Sequence, residues 1–269
     1  MNTIRYSLML VMFVLLVSCP GGTGTSNTLV AVKTSDGDFK LLLYNETPVH
    51  RDNFIRLVNS GFYEDVLFHR VINGFMVQAG DPLTKAGSKI TEDDSINTYT
   101  IQAEFNRKFY HKKGALAAAR MGNDVNPLMR SSGTQFYVVQ GKKYSDDELT
   151  SAEQVVNTQI KQSYFVRIFS EITDSITKSG SSLSPSEIQE MATLRLYDLL
   201  DKTGEYRMTD EQRNTYKTSG GVPRLDGTYT VFGEVIEGIE TIDRIASAQT
   251  DSNDRPLNDI KILTMKILK

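Results

Sequence analysis

An arginine and a glutamine interrupt an otherwise apolar stretch, residues 68–82, with the sequence FHRVINGFMVQAGDP. Arginine is almost never fully buried without a partner, so Arg70 either is paired, reaches solvent or serves a binding site. Side chains alternate along a strand, so in an extended segment without a turn one face would carry four of these residues: Arg70, Ile72, Met76 and Gln78. That face is an apolar floor with a polar group at each end, which is typical of a binding surface.

Two later stretches strengthen this interpretation. Residues 131–141 have the sequence SSGTQFYVVQG, and residues 225–245 have the sequence LDGTYTVFGEVIEGIETIDRI. Taken in order with residues 68–82, they resemble the motifs of the cyclophilins, where the later two segments are GSQFFI and LDGKHVVFGKV. Between the first two lies HKKGALAAAR, residues 111–120, whose small side chains suit a tightly packed strand beside a groove or, taken alone, a helix.

Cyclophilins are peptidyl-prolyl cis/trans isomerases, so the resemblance implies an enzyme that accelerates rotation about X-Pro bonds. This rotation needs no nucleophile and no proton transfer, because only the partial double bond of the amide opposes it, with a barrier of about 18 to 20 kcal/mol. What helps is a pocket that grips the proline ring and a donor that stabilises the twisted amide. The resemblance implies proline-containing polypeptides as substrates and no cofactor.

The resemblance also gives roles to particular residues. Arg70 would donate hydrogen bonds to the substrate carbonyl and, as the amide twists, to the proline nitrogen. Gln78 would orient Arg70 and bind the substrate backbone, and Phe75 would complete the catalytic set. The apolar proline pocket would be formed by Phe75, Met76, Tyr137 and Leu225. Further substrate contacts would come from Ala119, the backbone of Arg120, Gln135 and Tyr229.

Several positions depart from the family's pattern. Arg224 stands where many cyclophilins have tryptophan, and the chain contains no tryptophan, a change that bears on tight binding of cyclosporin-type inhibitors. Tyr229 replaces a frequent histidine and still offers an aromatic face and a hydroxyl. Tyr137 replaces a frequent phenylalanine, and its hydroxyl needs a partner. Asn73 and Arg120 replace frequent proline and asparagine residues, and we expect tolerance at Arg120 because its substrate contact is mainly through the backbone.

The first 18 residues are typical of a secretion signal. Arg5 precedes an apolar run, Leu8 to Val17, that is too short to span a bilayer. The run ends in LVSC, which resembles the lipobox of bacterial lipoproteins, so Cys19, the only cysteine, is predicted to carry a lipid. An ordinary secretion signal with an incidental cysteine is the alternative. We predict a palmitate-bearing lipoprotein of a bacterial cell envelope, with residues 19–27 as a flexible tether; the lack of an acidic residue after Cys19 favours the outer membrane.

The folded domain is predicted to cover residues 28–269. Residues 29–44 alternate partly around the turn SDGD, which predicts a β-hairpin. Thr47 can cap a helix that begins at Pro48 and is closed by Gly61. The order hairpin, helix, strand matches the start of the cyclophilin barrel. The fold implied is mainly β: a closed antiparallel β-barrel capped by helices.

Residues 142–220 interrupt this domain between the second and third motifs. A stretch this long does not form a structureless loop inside a compact domain. Serine or threonine followed three residues later by glutamate or glutamine marks three helix starts: Thr150, Ser184 and Thr209. Apolar residues recur every four positions along residues 156–176, which predicts an amphipathic helix. We predict a helical insertion that packs on itself or on the barrel, with contact to a partner or substrate protein as the alternative.

Composition and charge favour no other chemistry. The chain is 39% hydrophobic and 23% charged with a net charge of -3, neither basic enough to suggest nucleic acid binding nor acidic enough to suggest disorder. Its three histidines show no spacing suited to a metal site, and the acidic clusters near turns are better explained as solvated loops than as calcium sites. We therefore predict no metal and no nucleic acid partner, and we expect a monomer.

Two functions of other classes remain open. In one, the groove and the insertion hold unfolded chains, as a holdase does, and turnover is incidental. In the other, the barrel is a scaffold that presents the insertion to a partner in an envelope complex. The presence of Arg70 and of the pocket aromatics favours the enzyme.

Overall fold

The computed structural model describes residues 28–268, so the predicted signal, Cys19 and the tether lie outside the described residues. The strands are β1 (Thr28–Thr34), β2 (Gly37–Leu43), β3 (Arg70–Ile72), β4 (Met76–Ala79), β5 (Thr100–Ile101), β6 (Ala115–Ala118), β7 (Ser131–Ser132), β8 (Phe136–Val139), β9 (Val231–Glu237) and β10 (Ile262–Leu268). The helices are α1 (Pro48–Asn59), α2 (Ser95–Thr98), α3 (Asp146–Ser179), α4 (Pro185–Thr203), α5 (Asp210–Thr218) and α6 (Ile239–Ala246). Within this part of the chain, no helix has the length and apolar character needed to cross a membrane.

One antiparallel sheet of eight strands forms the barrel. Its strand order is β10-β1-β2-β9-β6-β8-β4-β3, and β5 and β7 pair separately. The two edges of the large sheet meet where Leu67, before β3, bridges to Lys261, before β10, and the Phe68 N–H donates to the Ile260 carbonyl at 2.9 Å. The sheet is therefore curled on itself, and the predicted mainly β fold with capping helices is confirmed.

The predicted hairpin opens the barrel. β1 and β2 pair from Thr34 opposite Gly37 at the turn to Thr28 opposite Leu43. Alternate side chains of a strand share a face, and on these two strands the inward face is apolar: Val30, Val32, Phe39, Leu41 and Leu43. Both α1 and α6 pack on the same core, through Phe54 and Leu57 from α1 and through Ile242 and Ile245 from α6.

The start of α1 differs from the prediction in one respect. Thr47 precedes the helix, but its hydroxyl donates to the Tyr44 carbonyl and does not cap the helix. Instead, the carboxylate of Glu104 accepts hydrogen bonds from the N–H groups of Val49 and His50, at 3.1 and 2.9 Å. A carboxylate there satisfies free N–H groups and complements the positive end of the helix dipole. A residue distant in sequence thus caps α1.

The insertion is helical, and two of its three predicted starts are confirmed. Ser184 and Thr209 form capping boxes at the starts of α4 and α5. The start predicted at Thr150 is wrong, because Ser145 caps α3 and the Thr150 hydroxyl lies inside the helix, where it donates to the Asp146 carbonyl. The earlier start places acidic side chains in the first turn, where they stabilise the helix dipole.

The insertion packs both on itself and on the barrel. A cluster beside the barrel contains Leu149, Ala152, Val156, Tyr206, Met208 and Tyr216. A cluster between α3 and α4 contains Ile168, Ile172, Ile188 and Ala192. The chain enters and leaves at one point, because Lys142 and Gly221 exchange backbone hydrogen bonds of 3.2 and 3.0 Å. Gly221 has φ +155, and a Cβ there would collide with the His111 carbonyl, so this junction requires glycine.

Candidate active site

Arg70 and Gln78 lie on a short hairpin. In the pairing of β3 with β4, Arg70 is opposite Gln78 and Ile72 is opposite Met76. A turn does intervene between them, with Gly74 at φ +73. Residues directly opposite each other in an antiparallel pair lie on the same face. The register of the hairpin therefore places Arg70, Ile72, Met76 and Gln78 on one face. Alternation along an unbroken strand would have placed the same four residues together.

A pocket of about 90 Å³ opens on this face. Four segments that are far apart in sequence line it: the β3–β4 hairpin, the chain just after β6, β8, and the stretch around the 3-10 turn Pro223–Leu225. The lining residues are Arg70, Phe75, Met76, Gln78, Ala119, Arg120, Tyr137, Leu225 and Tyr229. The predicted site residues of the folded domain are thus brought together, apart from Gln135.

Gln135 lines an adjoining groove of about 550 Å³ that shares Gln78, Ala119 and Arg120 with the pocket. The Gln78 amide donates to Gln135 Oε1 at 2.9 Å. The Gln135 carbonyl in turn accepts from the Ala119 N–H at 3.0 Å. All ten predicted site residues therefore lie along one continuous surface, and their roles in substrate binding stay predictions.

The Arg70 side chain lies at the edge of the pocket and is 42% exposed. Its Nε is 3.4 Å from Asp254 Oδ2, and the backbone of Asp254 is tied to β3 because its carbonyl accepts from the Val71 N–H at 2.8 Å. Among residues 28–268, no hydrogen bond from the Arg70 guanidinium is present, and its contact there is the ion pair with Asp254. The guanidinium can therefore donate to a bound chain.

The partner of Arg70 differs from the one predicted. The sequence predicts that Gln78 orients Arg70, whereas Gln78 bonds to Gln135 and the ionic partner is Asp254. Asp254 lies in the segment DSNDRP, whose composition indicates only a turn. Its φ of 64° is unusual for a residue other than glycine. No pattern in the sequence connects this turn with Arg70.

Tyr137 forms a buried wall of the pocket. Its hydroxyl lies 2.9 Å from His111 Nε2, which is the partner that the change from phenylalanine to tyrosine requires. Burial raises the pKa of Tyr137 well above its ordinary value, so the hydroxyl keeps its proton. The ring of Tyr229 meets Tyr137 edge-on, with ring centres 6.0 Å apart. Together the two rings give the pocket an aromatic corner.

Two arginines cover the aromatic rings of the pocket. The Arg120 guanidinium lies 4.3 Å from the centre of the Tyr229 ring, and its Nε donates to the Thr228 carbonyl at 2.8 Å. Burial lowers the pKa of Arg120. Arg224, at the position of the frequent tryptophan, lies 4.8 Å from the centre of the Phe75 ring. A cation over an aromatic face is attracted by the quadrupole of the ring, so Arg224 is held against Phe75.

The buried histidines of the barrel pair with carboxylates. His50 Nδ1 lies 2.7 Å from Glu104, and its Nε2 lies 2.9 Å from the Ser131 hydroxyl. Burial lowers the pKa of His50, although Glu104 opposes the shift. Within residues 28–268, no three His, Cys, Asp or Glu side chains form a group that could hold a metal ion.

A curled antiparallel barrel with a small apolar pocket edged by an arginine is the arrangement that the resemblance to the cyclophilins implies. The family model "Cyclophilin type peptidyl-prolyl cis-trans isomerase/CLD" matches residues 29–192 and 201–267, and the chain belongs to this family. The prediction made from the three motifs is confirmed, and the protein is a peptidyl-prolyl cis-trans isomerase. The match continues into the insertion, which the motifs alone did not cover.

Named relatives support this assignment, and solved structures support the fold. A Staphylococcus aureus (strain COL) protein named "Putative peptidyl-prolyl cis-trans isomerase" is 29% identical over 239 residues, which cover 88% of this chain and 90% of the relative. A Streptococcus pyogenes serotype M6 protein named "Putative bifunctional phosphatase/peptidyl-prolyl cis-trans isomerase" is 27% identical over 88% of this chain and 38% of its own length. In fold, the chain is similar to a cyclophilin type isomerase of Cryptosporidium parvum, with a TM-score of 0.53, 21% identity and coverage of 90% and 98%. A second crystal structure of that protein, in the presence of the dipeptide Ala-Pro, gives a TM-score of 0.52 at 20% identity, with coverage of 90% and 99%.

Proposed function

We propose that the protein accelerates X-Pro rotation in exported or envelope proteins, and that Arg70 supplies the electrostatic part of catalysis. The observation that carries the proposal is the position of Arg70. Its guanidinium lies at the edge of an apolar pocket, opposite Gln78, and can donate to a bound chain.

The mechanism follows from the amide bond. In the planar amide the nitrogen lone pair is shared with the carbonyl, and twisting localises it on the proline nitrogen. A donor placed beside the twisted nitrogen then stabilises the transition state more than the ground state, which is what raises the rate. The pocket around Phe75, Met76 and Tyr137 would hold the proline ring while Arg70 meets the nitrogen and the preceding carbonyl. No covalent step and no proton transfer is required.

A protease-coupled isomerisation assay tests the activity directly. The chain from residue 28 onward is assayed with a series of short peptides that differ in the residue before the proline. We expect acceleration for at least one peptide in the series. A correctly folded wild-type protein that accelerates none of them would contradict the proposed function.

The location proposed for the enzyme depends on Cys19. Cys19→Ala should abolish incorporation of a fatty acid label and should move the protein from the membrane fraction to the soluble fraction, because no thiol remains to carry the lipid. The measurement is labelling of the full chain with a fatty acid analogue in a bacterial host, followed by fractionation. Ser26→Ala in the tether serves as the matched control. Equal labelling of Cys19→Ala and wild type would contradict the anchor.

One observation favours a second function, the holding of unfolded chains. On α4, Leu194 and Tyr197 are 61% and 66% exposed and lie three residues apart, so they share a face of the helix. Exposed apolar side chains on one face can bind the apolar segments of an unfolded client.

Replacing both residues by serine should reduce the suppression of client aggregation, because the apolar contacts are lost. We expect kcat/KM for short peptides to stay unchanged, since neither residue lines the pocket. Light scattering of a diluted denatured client measures the first effect. Full suppression by the Leu194→Ser/Tyr197→Ser variant would exclude this face as the holding surface.

A further inference from the structure

A buried carboxylate connects the barrel with the insertion. Asp226 follows the pocket residue Leu225 in the chain and is 1% exposed. Its Oδ1 accepts a hydrogen bond of 2.8 Å from the backbone N–H of His111 and lies 2.8 Å from Nδ1 of the His111 ring. Its Oδ2 accepts from the hydroxyls of Tyr206 and Tyr216, at 2.8 and 2.7 Å. A carboxylate accepts about four hydrogen bonds, so the barrel supplies half of the donors and the insertion supplies the rest.

Asp226 determines which nitrogen of His111 carries the proton. A carboxylate only accepts, so Nδ1 is the donor, and in the neutral imidazole Nε2 is then an acceptor. With His111 in this neutral form, the Tyr137 hydroxyl, 2.9 Å from Nε2, donates to it. His111 is fully buried and Tyr137 is 4% exposed, which leaves water little access to either group. The direction of the Tyr137 hydroxyl thus depends on Asp226.

The hydroxyls of the two tyrosines of the insertion keep their protons and donate to Asp226. Burial first, and then the charge of Asp226, raises the pKa of Tyr206 and of Tyr216 well above the ordinary value. Both rings belong to the cluster beside the barrel, which also contains Leu149, Val156 and Met208. Their hydroxyls are therefore held in place by the packing of the insertion.

The insertion reaches the pocket by a second path as well. Ser163 of α3 is 1% exposed and accepts a hydrogen bond from Asn123 Nδ2 at 3.2 Å. Asn123 Oδ1 accepts from Arg120 Nη1 at 2.8 Å. Arg120 and Tyr137 both line the pocket, so the two paths connect the insertion with two of its lining residues.

We propose that Tyr206 and Tyr216 are positioning residues of the proline pocket. They act on Tyr137 through Asp226 and His111, and they hold its ring where it contacts the substrate's proline. The inference rests on the proposed function. It assigns the insertion a role in positioning the pocket, in addition to any contact that the insertion makes with other proteins.

The test compares wild type with the double variant Tyr206→Phe/Tyr216→Phe, which removes both hydroxyls and keeps both rings. We expect kcat/KM for short X-Pro peptides to fall roughly fivefold, mainly through a raised KM. A smaller amount of folded enzyme would lower the apparent kcat and leave KM unchanged, so a raised KM identifies a displaced pocket. In a Tyr137→Phe background the same pair should change kcat/KM by less than about twofold, because the hydroxyl that receives the effect is gone.

Tyr110→Phe is the matched control. Its hydroxyl lies at the same junction and donates to the Thr215 hydroxyl at 3.2 Å, without contact to Asp226, so its loss should leave kinetics unchanged. If the wild type is active and the double variant has an unchanged KM, the inference is overturned and the proposed function stands. The same holds if the tyrosine pair lowers kcat/KM equally in the wild-type and Tyr137→Phe backgrounds. An inactive wild type would overturn the proposed function and the inference with it.

Discussion

Arg70→Ala should lower kcat/KM for short X-Pro peptides by about ten- to a hundredfold while the protein stays folded. A hydrogen bond from a charged group contributes roughly 1.5 to 3 kcal/mol, and each 1.36 kcal/mol is about tenfold in rate. Stability should change little, because the side chain is 42% exposed and an exposed ion pair such as the one with Asp254 is weak. The measurement is the protease-coupled assay, with thermal unfolding as the check on folding.

Two variants test whether the geometry of the Arg70 side chain matters. Arg70→Lys keeps the charge but loses the planar set of donors, so we expect it to recover only part of the lost rate. Arg195→Ala removes an exposed arginine of α4 far from the pocket in sequence and should retain full activity. If Arg70→Ala kept at least half of the wild-type kcat/KM, catalysis would not depend on this guanidinium.

Local patterns in the sequence were sufficient for much of the fold. Alternation around SDGD gave the hairpin of β1 and β2, and the Ser184 and Thr209 capping boxes gave the starts of α4 and α5. The errors arose where two local signals competed or where a distant group intervened. Ser145 and Thr150 are each followed three residues later by a glutamate, and the first-turn acidic residues favour Ser145. At α1, the carboxylate of Glu104 takes the place of a local cap.

In the candidate active site, too, some features follow from local sequence patterns and others depend on groups that are distant in sequence. Each lining residue lies in a short motif that can be recognised in the sequence, and the fold brings these motifs together around one pocket. The contacts that hold those residues cross between segments, as Asp254 does to Arg70 and Tyr206 does to Asp226. Such pairs depend on how the insertion and the last turn pack against the barrel. One sequence on its own carries no periodic or motif signal for that packing.

Asp226→Ala should have the largest effect on stability of the substitutions considered. Alanine removes the acceptor of the hydrogen bonds from His111, Tyr206 and Tyr216. Buried donors left without a partner cost about 1 to 3 kcal/mol each, and loss of one partner of a buried polar set costs about 3 to 5 kcal/mol in total. The unfolding midpoint should therefore fall by roughly 10 °C, as measured by thermal unfolding.

Asp198→Ala is the control for this prediction. Asp198 lies on the exposed side of α4, so its loss removes no buried contact, and alanine favours the helix. The midpoint of this variant should be unchanged or slightly raised. An Asp226→Ala midpoint within about 2 °C of wild type would show that the buried network contributes little to stability.

The sign of the effect of the tyrosine substitutions on stability depends on whether Asp226 is present. Removing a carboxylate from water is costly, so replacing a whole buried polar set by apolar groups is often neutral, whereas removing one member leaves the others unpaired. Adding Tyr206→Phe and Tyr216→Phe to Asp226→Ala removes two of the orphaned hydroxyls. The triple variant should therefore be more stable than Asp226→Ala alone, although each tyrosine substitution destabilises the wild type. If the three substitutions acted independently, their losses of stability would add, and the triple variant would be the least stable of the series.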